Sequence, residues 1–188
     1  MSETTEPTLS DLLCAGLKVV FVGINPSRFS VAQGHYFARK TNRFWPCFSR
    51  STLSQDVRRA LGVEQLAAFH DHLLPAFGIG FTDVVKRPTV QAAELTRDEF
   101  AAGARLLITK LEHYKPRVAC FHGLTGFRHF AAALGLIEHG PALGAQQSTL
   151  GRTRLFVVPN PSGANAHFTP TQQTEWYDRL AEQLQMAT

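Results

Sequence analysis

Two tripeptides carry the strongest chemical signal in this chain. Asn25-Pro26-Ser27 and Asn160-Pro161-Ser162 each follow an apolar, β-branched run, KVVFV at 18–22 and RLFVV at 154–158. An Asn amide donates and accepts hydrogen bonds without titrating, so it orients a water or a polar ligand atom but takes no proton. The adjacent proline stiffens the backbone and keeps that amide in one geometry. One such loop reads as a plain turn initiator; two of them, each at the exit of a strand, point to paired site loops. Asp83 lies near the end of another apolar stretch, FGIGFTDVV at 77–85. A partly buried carboxylate there has a raised pKa and polarises a water or balances positive charge; the alternative is that it caps a turn or pairs with Lys86 or Arg87. His70-Asp71-His72 resembles a metal-ligand run, but two histidines without further partners in a polar turn read as a solvated surface, and no metal is expected. Cys14, Cys47 and Cys120 lack CxxC spacing. They read as buried thiols, against a disulfide framework or an iron-sulfur cluster.

The elements that must position these residues follow from periodicity. Residues 18–22, 77–85, 117–121 and 154–158 read as strands, and their apolar continuity suits a sheet covered on both faces. Helical spacing predicts helices over 43–61, 63–74, 97–114 (capped by Thr96), 125–134 and 171–186, with a short helix over 11–15 behind Ser10. Strands alternating with helices imply a single-domain, doubly wound α/β fold with a mostly parallel central sheet flanked by helices. Ligands in such folds sit at the carboxyl ends of the strands. Residues 1–10 read as a flexible tail and 11–188 as one domain.

Four segments together resemble the mismatch-specific uracil-DNA glycosylases related to thymine-DNA glycosylase, within the uracil-DNA glycosylase superfamily. They are GINPS at 23–27, GHYFARKTNRFW at 34–45, GFTDVVKRPT at 80–89 and NPSG at 160–163, in the family's order and spacing. The resemblance runs from about residue 17 to 180. It implies that Asn25 positions the attacking water, that Phe37 stacks on the extruded base, and that Ile24, Ser27, Tyr36 and Asn160 bind that base. On the residues alone, Phe37 reads equally as a core side chain. Ser27 stands where stricter uracil enzymes carry a bulky tyrosine, so room for C5-substituted pyrimidines is expected. Asn160 stands where fast uracil enzymes carry a histidine. Ser162, Gly163, Ala164 and Asn165 match the loop that enters the gap left by the flipped base. Relatives place a Leu or Arg wedge there, whereas this chain has Ala164, Asn165 and Ala166, leaving His167 or Asn165 to substitute. Asp83 replaces the amide or lysine of relatives. Lys86 and Arg87, with Arg39, Lys40 and Arg43, are candidates for phosphate contacts.

The implied activity is a monofunctional DNA glycosylase of base-excision repair. It would flip a mismatched uracil or a damaged pyrimidine and hydrolyse the N-glycosidic bond without a cofactor. The alternative is a catalytically weak damaged-DNA-binding module. Nineteen Lys and Arg against fifteen Asp and Glu give a net charge of +4, a bias that favours phosphate-bearing partners. The expected partner is double-stranded DNA holding the lesion, met by a monomer. The absence of a long apolar run predicts no membrane partner and a cytoplasmic location, nucleoid-associated in a bacterium. No GxGxxG or P-loop supports a nucleotide-binding alternative.

Overall fold

A computed structural model describes residues 7–136, 140 and 142–185. Its centre is strand β1 (Val19–Gly23), paired in parallel with β2 (Ile79–Asp83) on one side and β3 (Val118–His122) on the other. Strand β5 (Thr153–Val158) extends the parallel sheet beyond β3, and β4 (Gly144–Leu150) closes that edge antiparallel, giving the order β2-β1-β3-β5-β4. Every residue of β1, β2 and β3 is buried. Alternation along β1 sends Val19 and Phe21 to one face and Val20 and Val22 to the other, seeding two apolar cores.

The helices divide between those faces. α2 (Phe44–Arg50) and α6 (Pro170–Gln185) cover the aromatic side, where Phe44, Phe48 and Tyr177 meet Phe21 edge-on. α4 (Arg97–Tyr114) and α5 (Leu124–Ala133) cover the other, burying Leu107, Leu111, Phe127 and Phe130. α4 begins where expected: the Thr96 side chain accepts from Glu99 N while the Glu99 carboxylate accepts from Thr96 N. Gly103 lets α4 approach the exit of β2, because a Cβ there would lie 2.2 Å from the Val84 carbonyl. Among the described residues no helix is long and apolar enough to cross a membrane.

The sheet, its covering layers and the main helices are as expected, and the differences have local causes. The helix expected over 43–61 is two, α2 and α3 (Gln55–Leu61), separated by a 3-10 turn at Thr52–Ser54. Ser51 is extended there (φ −78, ψ 157), and the hydroxyls of Ser49, Ser51 and Ser54 donate to nearby carbonyls, competing with a continuous helix. Residues expected as a second helix at 63–74 form a 3-10 segment, Ala68–Phe77, containing Pro75. Leu12, expected in a helix, pairs antiparallel with Phe81 through bonds of 2.9 and 3.1 Å. Leu9 is buried and Ser10 accepts from Tyr36, so the packed chain begins earlier than expected; residues 1–6 lie outside the described residues, as does residue 186. Strand β4 (GAQQSTL) and the one-and-a-half-turn α1 (Arg28–Gln33) were not anticipated, since a half-exposed edge strand and so short a helix carry little periodic signal.

Candidate active site

The carboxyl ends of β1, β2, β3 and β5 converge on a cavity of about 180 Å³, bounded by Gly23, Asp83, His122 and Asn160 together with the loops that follow. Both Asn-Pro-Ser loops line it, through Asn25, Pro26 and Ser27 of the first and Asn160 and Ser162 of the second. Asn25 Nδ2 donates to the Arg87 carbonyl at 2.9 Å and to Thr89 Oγ1 at 2.8 Å. With the amide nitrogen engaged, Oδ1 is the atom left to accept at the cavity. Asn160 is fixed in the opposite sense: its Oδ1 accepts from Ser162 N at 3.0 Å, closing a small turn and leaving Nδ2 as a donor. The two loops therefore present amides of opposite polarity, one acceptor and one donor, across one cavity.

Phe37 stands between them with a strained backbone, φ 54, a left-handed conformation unusual for a bulky residue. Such strain costs roughly 1–3 kcal/mol and persists only where neighbours enforce it. Here Tyr36 N donates to Asp71 Oδ2 at 2.8 Å, Trp45 Nε1 donates to the Tyr36 carbonyl at 2.9 Å, and Ala38 N donates to Ser30 Oγ. One face of the Phe37 ring stacks on Phe44, with centroids 4.5 Å apart and planes 28° off parallel. The half-buried ring also borders the cavity. Ser27 lines the cavity too, but its hydroxyl is occupied as the N-cap of α1, accepting from Ser30 N at 3.0 Å. Ile24 lines it while its side chain packs towards Gly126 of α5. Tyr36 is largely a pivot: its ring stacks on Phe81, and its hydroxyl donates to Ser10 O and accepts from Lys86 Nζ at 3.1 Å.

Asp83 is buried at the end of β2, and its Oδ1 occupies the space that a Cβ on Gly23 would need, 2.4 Å away. Burial pushes its carboxyl up to about 6, against the pull of Lys86 and with the help of the negative Asp11. Lys86 Nζ lies 3.4 Å from Asp83 Oδ2 but 2.9 Å from Asp11 Oδ1, and Lys110 holds the other Asp11 oxygen at 2.6 Å. Asp83 thus lines the cavity and also pairs with Lys86.

Lys86 and Arg87, expected to meet phosphate, each make internal ion pairs. Lys86 is drawn inward by two carboxylates, and Arg87 forms a two-pronged pair with Glu99 and donates to Glu94 O at 3.0 Å. What Arg87 gives the site is its carbonyl, which anchors Asn25. Arg43 is likewise spent: it donates to the carbonyls of Ser162, Asn165 and Phe168 and so pins the second loop. Arg39 and Lys40 are exposed, and Arg39 borders the cavity. In the second loop Gly163 presses on the chain, since a Cβ there would lie 2.6 Å from Thr41 O. Asn165 donates to Asn160 O at 2.9 Å, which ties its side chain back to its own loop, whereas Ala164 and His167 are exposed.

Sequence reasoning missed His122, at the end of β3. It is 2 % exposed, its Nε2 meets Tyr177 Oη at 3.1 Å, and its buried Nδ1 has no hydrogen-bond partner among the described residues. Burial drives its pKa down to about 3, so the ring is neutral across the working range. Its position between an apolar run and Gly123 was the available signal. Thr89 and Asp11 were missed as well, and nothing local in the sequence marks either. A family model described as the uracil DNA glycosylase superfamily matches residues 10–185.

Proposed function

Since the chain belongs to the uracil-DNA glycosylase superfamily, we propose that it excises mismatched uracil and related damaged pyrimidines from double-stranded DNA as a monofunctional enzyme, leaving an abasic site. The observation that carries this reading is the pair of oppositely oriented amides. Asn25 Oδ1 accepts from a water and so aims the water's lone pair at the sugar C1′, while Asn160 Nδ2 donates to the base carbonyl on which negative charge develops. The N-glycosidic bond breaks with its electron pair leaving on the base, and the water oxygen bonds to C1′. The water's proton passes to Asp83, which is mostly ionised above its raised pKa of about 6 and sits beside Gly23 at the root of the same loop. The departing base takes up a proton from solvent. No step needs a titrating Asn, provided C–N cleavage runs well ahead of attack.

Phe37 supplies the flat surface for the flipped ring, and its strained loop holds that surface ready before the base arrives. Ser27, small and turned into a helix cap, leaves the pyrimidine C5 edge unobstructed. Breadth towards C5-substituted pyrimidines follows. The exposure of His167, with Asn165 engaged inside its loop, supports His167 as the side chain that fills the gap in the helix.

The test is a set of duplexes varying the lesion and its opposite base, incubated with the protein and then cleaved with hot alkali. Wild-type protein should nick at uracil, and Asn25→Ala should cut single-turnover excision by about 10²-fold or more, in line with loss of a positioning group, while still binding duplex DNA. Binding without any excision by the wild type would instead leave a damaged-DNA-binding module.

A further inference from the structure

His35, Asp71 and His72 lie outside the cavity and come from two segments that only the fold brings together. His35 Nδ1 is 2.9 Å from Asp71 Oδ1, His72 Nδ1 is 3.8 Å from the same oxygen, and the three ligand atoms lie within 4.8 Å of one another. His70, the neighbour that the sequence makes the obvious partner, is turned to its own backbone, where its Nδ1 accepts from Ala67 N. The Asp71 side chain is 3 % exposed, and its ion-pair partners among the described residues are these two histidines. A buried carboxylate without a permanent cation calls for compensating charge. Its second oxygen is already committed to Tyr36 N, which fixes the orientation of the first.

We propose that His35, Asp71 and His72 bind a divalent transition-metal ion, best suited to Zn²⁺, which clamps the loop carrying Tyr36 and Phe37. Two imidazole nitrogens and one carboxylate oxygen match the preference of Zn²⁺, whereas Mg²⁺ and Ca²⁺ favour all-oxygen sets. Tetrahedral ligand atoms about 2.0–2.2 Å from zinc lie about 3.4 Å apart, so the His35–Asp71 hydrogen bond at 2.9 Å gives way to the ion and opens slightly, while His72 Nδ1 closes in from 3.8 Å. His72, with its side chain 60 % exposed, has the freedom to do so. Three protein ligands leave a fourth position for water. Each imidazole binds through neutral Nδ1 with its proton on Nε2. The consequence reaches the cavity through one bond: Asp71 Oδ2 holds Tyr36 N, and the next residue is the strained Phe37. The ion would lock that loop rather than take part in hydrolysis.

Titration of EDTA-stripped protein with ZnCl₂ in a calorimeter should show one saturable site, and added Zn²⁺ should raise Tm by linkage. His72→Ala removes an exposed side chain, so the variant should fold normally yet bind at least tenfold more weakly and lose the Tm gain. His70→Ala should match the wild type in both. Substituting Co²⁺ should give nitrogen- and oxygen-ligand bands without thiolate charge transfer, which separates this site from a cysteine. Absence of saturable binding, a thiolate band, or His72→Ala with wild-type affinity would overturn the proposal.

Discussion

Asp83 sets two demands against each other at one residue. A carboxylate placed merely to pair with Lys86 would stabilise the fold when ionised; this one carries a folded pKa of about 6 against the ordinary carboxylate value of 3.8, the upward shift being due to burial. Its ionised form is therefore disfavoured in the folded state. The cost is absent below about pH 4, grows through pH 6 and is fully present above it, amounting to roughly 2–3 kcal/mol for a shift of this size. Asp83→Asn should accordingly raise Tm at pH 8, with the gain fading below pH 4, while single-turnover excision falls by an order of magnitude or more. A loss of Tm at pH 8 would show the carboxylate to be structural. Asn25 makes the complementary point, since its identity was plain in the sequence but the direction of its amide came from partners 62 and 64 residues away, whereas Asn160 is turned by Ser162 N within its own loop.

At the scale of elements, the segment ahead of β1 does more than lead into the fold. Leu12 pairs with Phe81 of β2, Ser10 receives the Tyr36 hydroxyl, and Asp11 competes with Asp83 for Lys86. The groups facing Asp83 are Lys86 from the loop after β2, Asp11 from this leading segment, Lys110 from α4 and Tyr36 from the loop before α2. Asp11→Asn removes a negative neighbour and frees Lys86 to close on Asp83. The acid limb of the rate profile, near pH 6 in the wild type on the strength of the Asp83 value, should move to lower pH in this variant. An unmoved limb accompanied by lower stability would assign Asp11 to folding alone. Strands β1, β2, β3 and β5 were legible because continuous apolar runs have few other uses, and α4 because its cap and period agreed. The broken helix after Phe44 was not, because three serine hydroxyls redirect backbone hydrogen bonds where apolar spacing continues.

For the whole molecule, a net charge of +4 favours phosphate, but the fold decides which cations are free to meet it. Lys86, Arg87 and Arg43 make internal bonds, whereas Arg39 and Lys40 are exposed and Arg39 borders the cavity. A paired Arg39→Ala and Lys40→Ala variant should weaken binding to undamaged duplex and reduce the salt slope by about 2, since each cation that no longer meets a phosphate lowers it by about one. Lys86→Gln should leave that slope unchanged. The α/β layering, the strand ends that meet at the cavity and the superfamily were legible in the sequence alone, because short motifs and apolar period are local properties of the chain. The assembled fold settled which way the Asn25 amide faces, that Asp83 is buried beside Lys86 and Asp11, that His122 borders the cavity and has a buried nitrogen without a partner among the described residues, and that His35 rather than His70 joins Asp71. Those outcomes depend on desolvation and on partners distant in sequence, and neither quantity exists until the sheet has assembled.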